Sequence, residues 1–154
     1  MEYVDLDAQI GALTGVISPV RYLRHLPELA EGLPPGARAF ATDRDHYNFG
    51  SQRCVKDLTP HRVDVRAGEV EAHFRHNCWK HEEDLVIRYT GVVELRIESP
   101  DGAEWDDLGA VILDEILPHA HGCSHEVACR PGTLTVVCRD LTAAWVDADC
   151  PDAP

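Results

Sequence analysis

Past Arg62 the apolar residues of this chain alternate with polar ones, and that period of two constrains the fold more than any other feature of the sequence. In a strand, successive side chains point to opposite faces, so an alternating run has one face to bury. Val63 and Val65 precede the turn-forming Arg66-Ala67-Gly68-Glu69, and Val70, Ala72 and Phe74 follow it, which predicts a hairpin. Leu85, Ile87 and Tyr89 alternate before Gly91, and Val93, Leu95 and Ile97 alternate after it. Gly91 therefore marks a bulge or bend within one long strand. AVILDEIL, 110–117, predicts a further strand with Val111, Leu113 and Leu117 on one side. The final hairpin flanks Pro131-Gly132, a pair suited to the two central positions of a type II turn. That turn would place Cys129 opposite Leu134, Val127 opposite Val136 and His125 opposite Cys138, on one apolar face. Cys129 and Cys138 are then not opposed, which disfavours a disulfide between them.

The N-terminal third has a different period. Ser18 can cap a helix, Pro19 suits its first position, and Val20, Leu23 and Leu26 recur at helical spacing. Pro27 should kink this helix or begin a second short turn carrying Leu29 and Ala30, and the LPPG of 33–36 should end it. Residues 1–18, weakened by Gly11 and Gly15, read as a short helix or an irregular lead-in. The expected architecture is α+β: an N-terminal helical segment packed on a single antiparallel sheet of about six or seven strands built from hairpins. The expected division is a helical lead-in at 1–40, the sheet at 60–147 and a frayed tail at 148–154, all in one domain. Leu85, Ile87, Val93, Leu95, Ile97, Leu113, Val127, Leu134 and Val136 are the expected core.

Charge narrows the function classes. A net charge of −13 repels phosphate backbones, and no stripe of Arg and Lys interleaved with aromatics offsets it, so nucleic acid is excluded as a partner. No apolar run approaches the roughly 20 residues of a membrane-spanning helix. The start MEYVDLDAQI lacks the basic and apolar segments of a signal peptide. A soluble, cytoplasmic protein is expected. Its six cysteines, without a CxxC pair, are expected to be reduced thiols. An acidic surface suits a basic protein partner.

Three segments carry candidate chemistry. HAHGCSHEV, 119–127, sets His119, His121, Cys123 and His125 at alternate positions. A continuous strand would aim all four the same way, but Gly122 favours a strand, a turn and a strand. That turn could still gather His119, His121 and His125 around one zinc, with Cys138 nearby. It matches neither HExxH nor a paired CxxC. HNCWKHEED, 76–84, holds His76, Cys78 and His81 and then Glu82, Glu83 and Asp84. Its informative residue is Trp79, because a tryptophan ringed by charges has the composition of an interface hot spot, whereas folded back it would cap the sheet. In 41–58, Asp43, Asp45, His46 and Tyr47 offer a histidine–carboxylate pair, with Ser51 and Cys54 as conceivable nucleophiles. No GxSxG elbow or phosphate-binding glycine loop completes a catalytic set there.

Arg outnumbers Lys twelve to two, a preference of GC-rich coding as in many actinobacteria. HYNFGSQRCVKDL, WKHEEDLVIRYTGVVELRI and GTLTVVCRDLTAAW together resemble a loose pattern of small bacterial domains, some of which are similar to immunity proteins of toxin systems. Tyr89-Thr90-Gly91-Val92 and the strand from Leu134 to Leu141 carry the resemblance, which spans about 46–145. Where many such domains have His-Asp in the first segment, this chain has Phe49-Gly50-Ser51, and no catalytic residue carries over. The charge of −13, the absence of a complete catalytic set and this resemblance together point to a non-enzymatic, immunity-like protein that recognises a basic protein partner, with Trp79, Glu82, Glu83 and Asp84, an aromatic anchor beside clustered carboxylates, as the expected contact. The alternatives are a zinc-dependent hydrolase using His119, His121 and His125, or a structural subunit that forms a homodimer by pairing a sheet edge with a second copy.

Overall fold

Gly91 and Arg139 are the two corners on which the fold turns. In the computed structural model, which describes residues 1–150, β5 (Glu83–Thr90) runs into Gly91 and re-emerges as β6 (Glu94–Glu98) in a different sheet. The return crossing is made by β9 (Thr133–Cys138), which passes through Arg139 into β10 (Asp140–Asp147). The corners are bonded together, with the Arg139 N–H donating to the carbonyls of Thr90 and Gly91 at 2.9 and 3.1 Å. Gly91 has φ +61°, and a Cβ there would stand 2.8 Å from that of Arg139, so both its backbone and its neighbour require glycine.

With β3 (Thr59–Arg66), β4 (Glu69–Arg75), β7 (Val111–His119) and β8 (Gly122–Cys129), these strands make two four-stranded antiparallel sheets, ordered β10-β5-β4-β3 and β6-β9-β8-β7. The expected single sheet is thus corrected to two, and a third, two-stranded sheet pairs β1 (Asp5–Ile10) with β2 (Leu13–Ser18). At 47% strand and 15% helix the fold is mostly β rather than α+β. Alternation reports the local period but not the partner, and a strand that bends at a glycine keeps its period while changing sheets. The lead-in is likewise a hairpin, reversing at Gly11 with φ +60°. The expected tail lies partly outside the described residues; 148–150 have no regular structure. No helix among the described residues is long and apolar enough to cross a membrane.

Phe74, Leu85, Ile87 and Tyr89 from one sheet and Ile116, Val127, Leu134 and Val136 from the other belong to one buried cluster. The expected core residues are buried except at β6, where Leu95 and Ile97 are half-buried and Val93 is 58% exposed. Val93 lies in the corner after Gly91, where the bend turns Val92 toward the core in its place. The final hairpin closes on Arg130-Pro131, one residue earlier than expected, with Cys129 and Gly132 exchanging both backbone hydrogen bonds. Val127 therefore faces Leu134, His125 faces Val136 and Cys123 faces Cys138. A shift of two residues leaves every side chain on its expected face. Gly132 is needed elsewhere: a Cβ on it would lie 2.6 Å from the Glu98 carbonyl.

Two short helices cover the sheets. α1 (Val20–Leu29) contains Pro27, and it buries Tyr22 and Leu26 while Val20 and Leu23 stay exposed. The Pro-Pro-Gly expected to end the helical region instead starts α2 (Pro35–Ala41), with proline where its missing N–H is harmless. The Asp140 carboxylate accepts the first free N–H groups of α2, from Gly36 and Ala37, at 3.0 and 2.9 Å. A Cβ on Gly36 would sit 2.0 Å from the Leu141 carbonyl oxygen. In an open helix Gly→Ala stabilises by about 1 kcal/mol. Here Gly36→Ala is expected to destabilise by about 1–3 kcal/mol through overpacking, read as a lower urea midpoint.

Candidate functional site

The hairpin between β7 and β8 pairs His119 with Gly122 and turns at Ala120-His121, so 119–127 is indeed a strand, a turn and a strand. The turn separates its histidines. His119 and His121 are exposed, their rings stacked 5.5 Å apart, whereas His125 is 1% exposed and points between the sheets. His119, His121 and His125 do not converge on one point, and Cys138 lies against Cys123, Sγ to Sγ 3.6 Å, rather than against His125.

His125 belongs instead to a buried chain of polar side chains. Its Nδ1 accepts the Tyr89 hydroxyl hydrogen at 2.8 Å, burial having pushed the phenol's pKa well up, and its Nε2–H donates to Asp114 at 2.8 Å. His46, on the loop after α2, brings Nε2 within 2.8 and 2.9 Å of the two Asp114 oxygens while its Nδ1 lies 2.8 Å from the Phe40 carbonyl. Both His46 nitrogens thus face acceptors, the Asp114 carboxylate on one side and the Phe40 carbonyl on the other. Burial by itself would push the Asp114 carboxyl up. The His46 charge and the hydrogen bonds from His125 and His46 outweigh it and hold Asp114 well below the usual carboxylate range. His46, Asp114 and His125 are each at most 1% exposed, and the adjoining cavity of about 10 Å³ is walled by Leu58, Phe74, Leu85 and other apolar side chains.

Such an enclosed chain pins the 43–48 loop to both sheets and offers no place for a substrate. Tyr89→Phe should leave His125 Nδ1 buried without a donor and cost about 1–3 kcal/mol, measured as a fall in urea midpoint. An unchanged midpoint would mean that the hydrogen bond contributes nothing. Reading the sequence paired His46 with its neighbours Asp43 and Asp45, but its partner lies 68 residues on. The available signal was the Asp-Glu pair inside AVILDEIL. In an alternating strand adjacent acids point to opposite faces, so one had to face the core. Asp114 does, and Glu115 faces the other way, accepting the N–H groups of Glu2, Tyr3 and Val4 at 2.6 to 2.7 Å.

Trp79 stands 98% exposed, so of the two placements open to it the structure has the outward ring and not one folded back over the sheet. The turn bearing it is held firmly. The Asn77 carbonyl accepts from the N–H groups of Lys80 and His81, both at 2.8 Å, and Asn77 Oδ1 accepts the Trp79 N–H at 3.1 Å. His81 is the anchor: its Nε2–H donates to the Cys54 carbonyl at 2.8 Å and its Nδ1 accepts the Asn77 N–H at 3.1 Å. Burial pushes this imidazole's pKa down, so it stays neutral as both bonds require. The carboxylates beside it differ. Glu83 is held by two bonds from the Arg53 guanidinium, at 2.7 and 3.0 Å. Asp84 accepts His76 Nδ1–H at 2.7 Å, and Glu82, exposed, accepts from Gln52 at 3.0 Å. His76 and Cys78 are brought together with Cys150, whose place in a polar tail had suggested nothing.

No protein-family model and no curated protein matches this chain.

Proposed function

We propose that this is a non-enzymatic, immunity-like binding protein that docks a basic protein partner through the turn bearing Trp79. The observation that carries the reading is a tryptophan 98% exposed on a turn whose backbone is already fixed. Binding there would bury a large ring while ordering little chain, the combination that makes an interface hot spot. Charge divides the work with it. Glu83 and Asp84 are occupied by Arg53 and His76, so Glu82 supplies the local carboxylate and the net −13 supplies long-range attraction.

The test is kinetic. A basic protein captured from source-cell extract and purified should associate at least about tenfold more slowly when salt rises from low to above physiological, because exposed charges lose their reach within a Debye length. A flat salt response would contradict steering. A second reading has one observation behind it: Ile10 and Leu13, 56% and 66% exposed at the tip of the β1–β2 hairpin, could pair with a second copy. That reading predicts a salt-insensitive dimer, seen as a concentration-dependent mass in sedimentation.

A further inference from the structure

Three side chains at the base of the Trp79 turn meet in an arrangement that docking does not use. His76 Nδ1–H donates to Asp84 Oδ1 at 2.7 Å, which leaves the Nε2 lone pair facing Cys78 Sγ at 3.4 Å. Cys150 Sγ lies 2.7 Å from Cys78 Sγ. A nucleophile hydrogen-bonded to a base, and that base oriented by a carboxylate, is the constellation of an activated thiol. The Asp84 bond also pushes the His76 pKa up, favouring transfer of the thiol proton to it. Around a tetrahedral zinc two thiolates stand about 3.8 Å apart. These sulfurs are closer than that and approach bonding distance.

We propose that Cys78, His76 and Cys150 form a thiol–disulfide exchange site for small disulfides, with Cys78 as nucleophile, His76 as base, Asp84 as positioning residue and Cys150 as resolving thiol. Cys78 passes its proton to His76 Nε2 and attacks one sulfur of a disulfide RSSR, forming a mixed disulfide Cys78–SR. The RS⁻ released takes the proton back from His76. Cys150 then loses its proton to His76 and attacks the Cys78 sulfur, forming Cys78–Cys150 and expelling the second RS⁻, which is protonated in turn. Two protein thiols are oxidised and one disulfide becomes two thiols. Cys78 is exposed, so a small disulfide reaches it without any cavity.

The test treats the fully reduced chain with oxidised glutathione and follows each thiol by alkylation and peptide mass. Wild type should form Cys78–Cys150 and release two glutathiones. Cys150→Ser should stop at a stoichiometric glutathione adduct on Cys78, and Cys78→Ser should form neither product. His76→Ala should react at least about tenfold more slowly near neutral pH yet match wild type at alkaline pH, where the thiolate forms unaided; a structural defect would persist at both. The proposal is overturned if Cys150→Ser accumulates no adduct, if His76→Ala reacts as wild type at neutral pH, or if the reduced protein holds one zinc through these side chains and its thiols resist exchange. Trp79 takes no part in any of these outcomes, so they are independent of the docking reading.

Discussion

Replacing Asp114 with alanine is expected to cost about 3–5 kcal/mol, the loss typical of removing one member of a buried ion pair. Against a total stability of about 5–15 kcal/mol this would leave the protein barely folded or unfolded at room temperature. The cost arises because His46 Nε2 and His125 Nε2–H would both lose their partner between the sheets, where no water replaces it, leaving His46 only the Phe40 carbonyl. Asp114→Asn keeps the volume but not the charge, and should lose nearly as much at neutral pH. The acid limb adds a second signature. Asp114 has a folded pKa below its unfolded value near 3.9, so in that interval the unfolded state binds the extra proton and stability rises with pH. Its contribution is complete above about pH 4 and disappears as pH falls from there through the folded value. Urea midpoints taken from pH 2 to 7 should show that slope in wild type and a shallower one in Asp114→Asn. A loss under about 1 kcal/mol for Asp114→Ala would mean that the bonds of this carboxylate to His46 and His125 contribute little.

The buried chain also shows what a sequence can disclose. His125 was legible, because its parity with Val127 set it on the apolar face, and a two-residue register error left that face unchanged. The bend at Gly91 was legible for a similar local reason. Its consequence was not: whether a bent strand stays in one sheet depends on Arg139, far along the chain, making the matching corner. The pairing of His46 with Asp114 and of Cys78 with Cys150 likewise joins residues 68 and 72 positions apart. No local period encodes such contacts. Pro34-Pro35-Gly36 was misread because the same residues stop one helix and start another, and the deciding contact is with Asp140 on β10. Trp79 was ambiguous in sequence because a polar setting permits either a folded-back or an exposed ring; the anchoring of its turn by His81 holds it outward.

Trp79→Ala is expected to separate binding from folding. A side chain 98% exposed contributes little to the folded state, so the urea midpoint should stay within about 0.5 kcal/mol of wild type. If the ring is the anchor of the interface, its loss should cost at least about 2 kcal/mol of binding, or roughly thirtyfold in Kd. Glu82→Gln should act mainly on the association rate, Trp79→Ala mainly on dissociation. The dissociation constant of the purified basic partner, measured for wild type and Trp79→Ala at one salt concentration and beside their urea midpoints, is the most direct test of docking at this turn. A Kd weakened about thirtyfold or more with an unchanged midpoint is the predicted result; an unchanged Kd would place the partner elsewhere on the surface and contradict it.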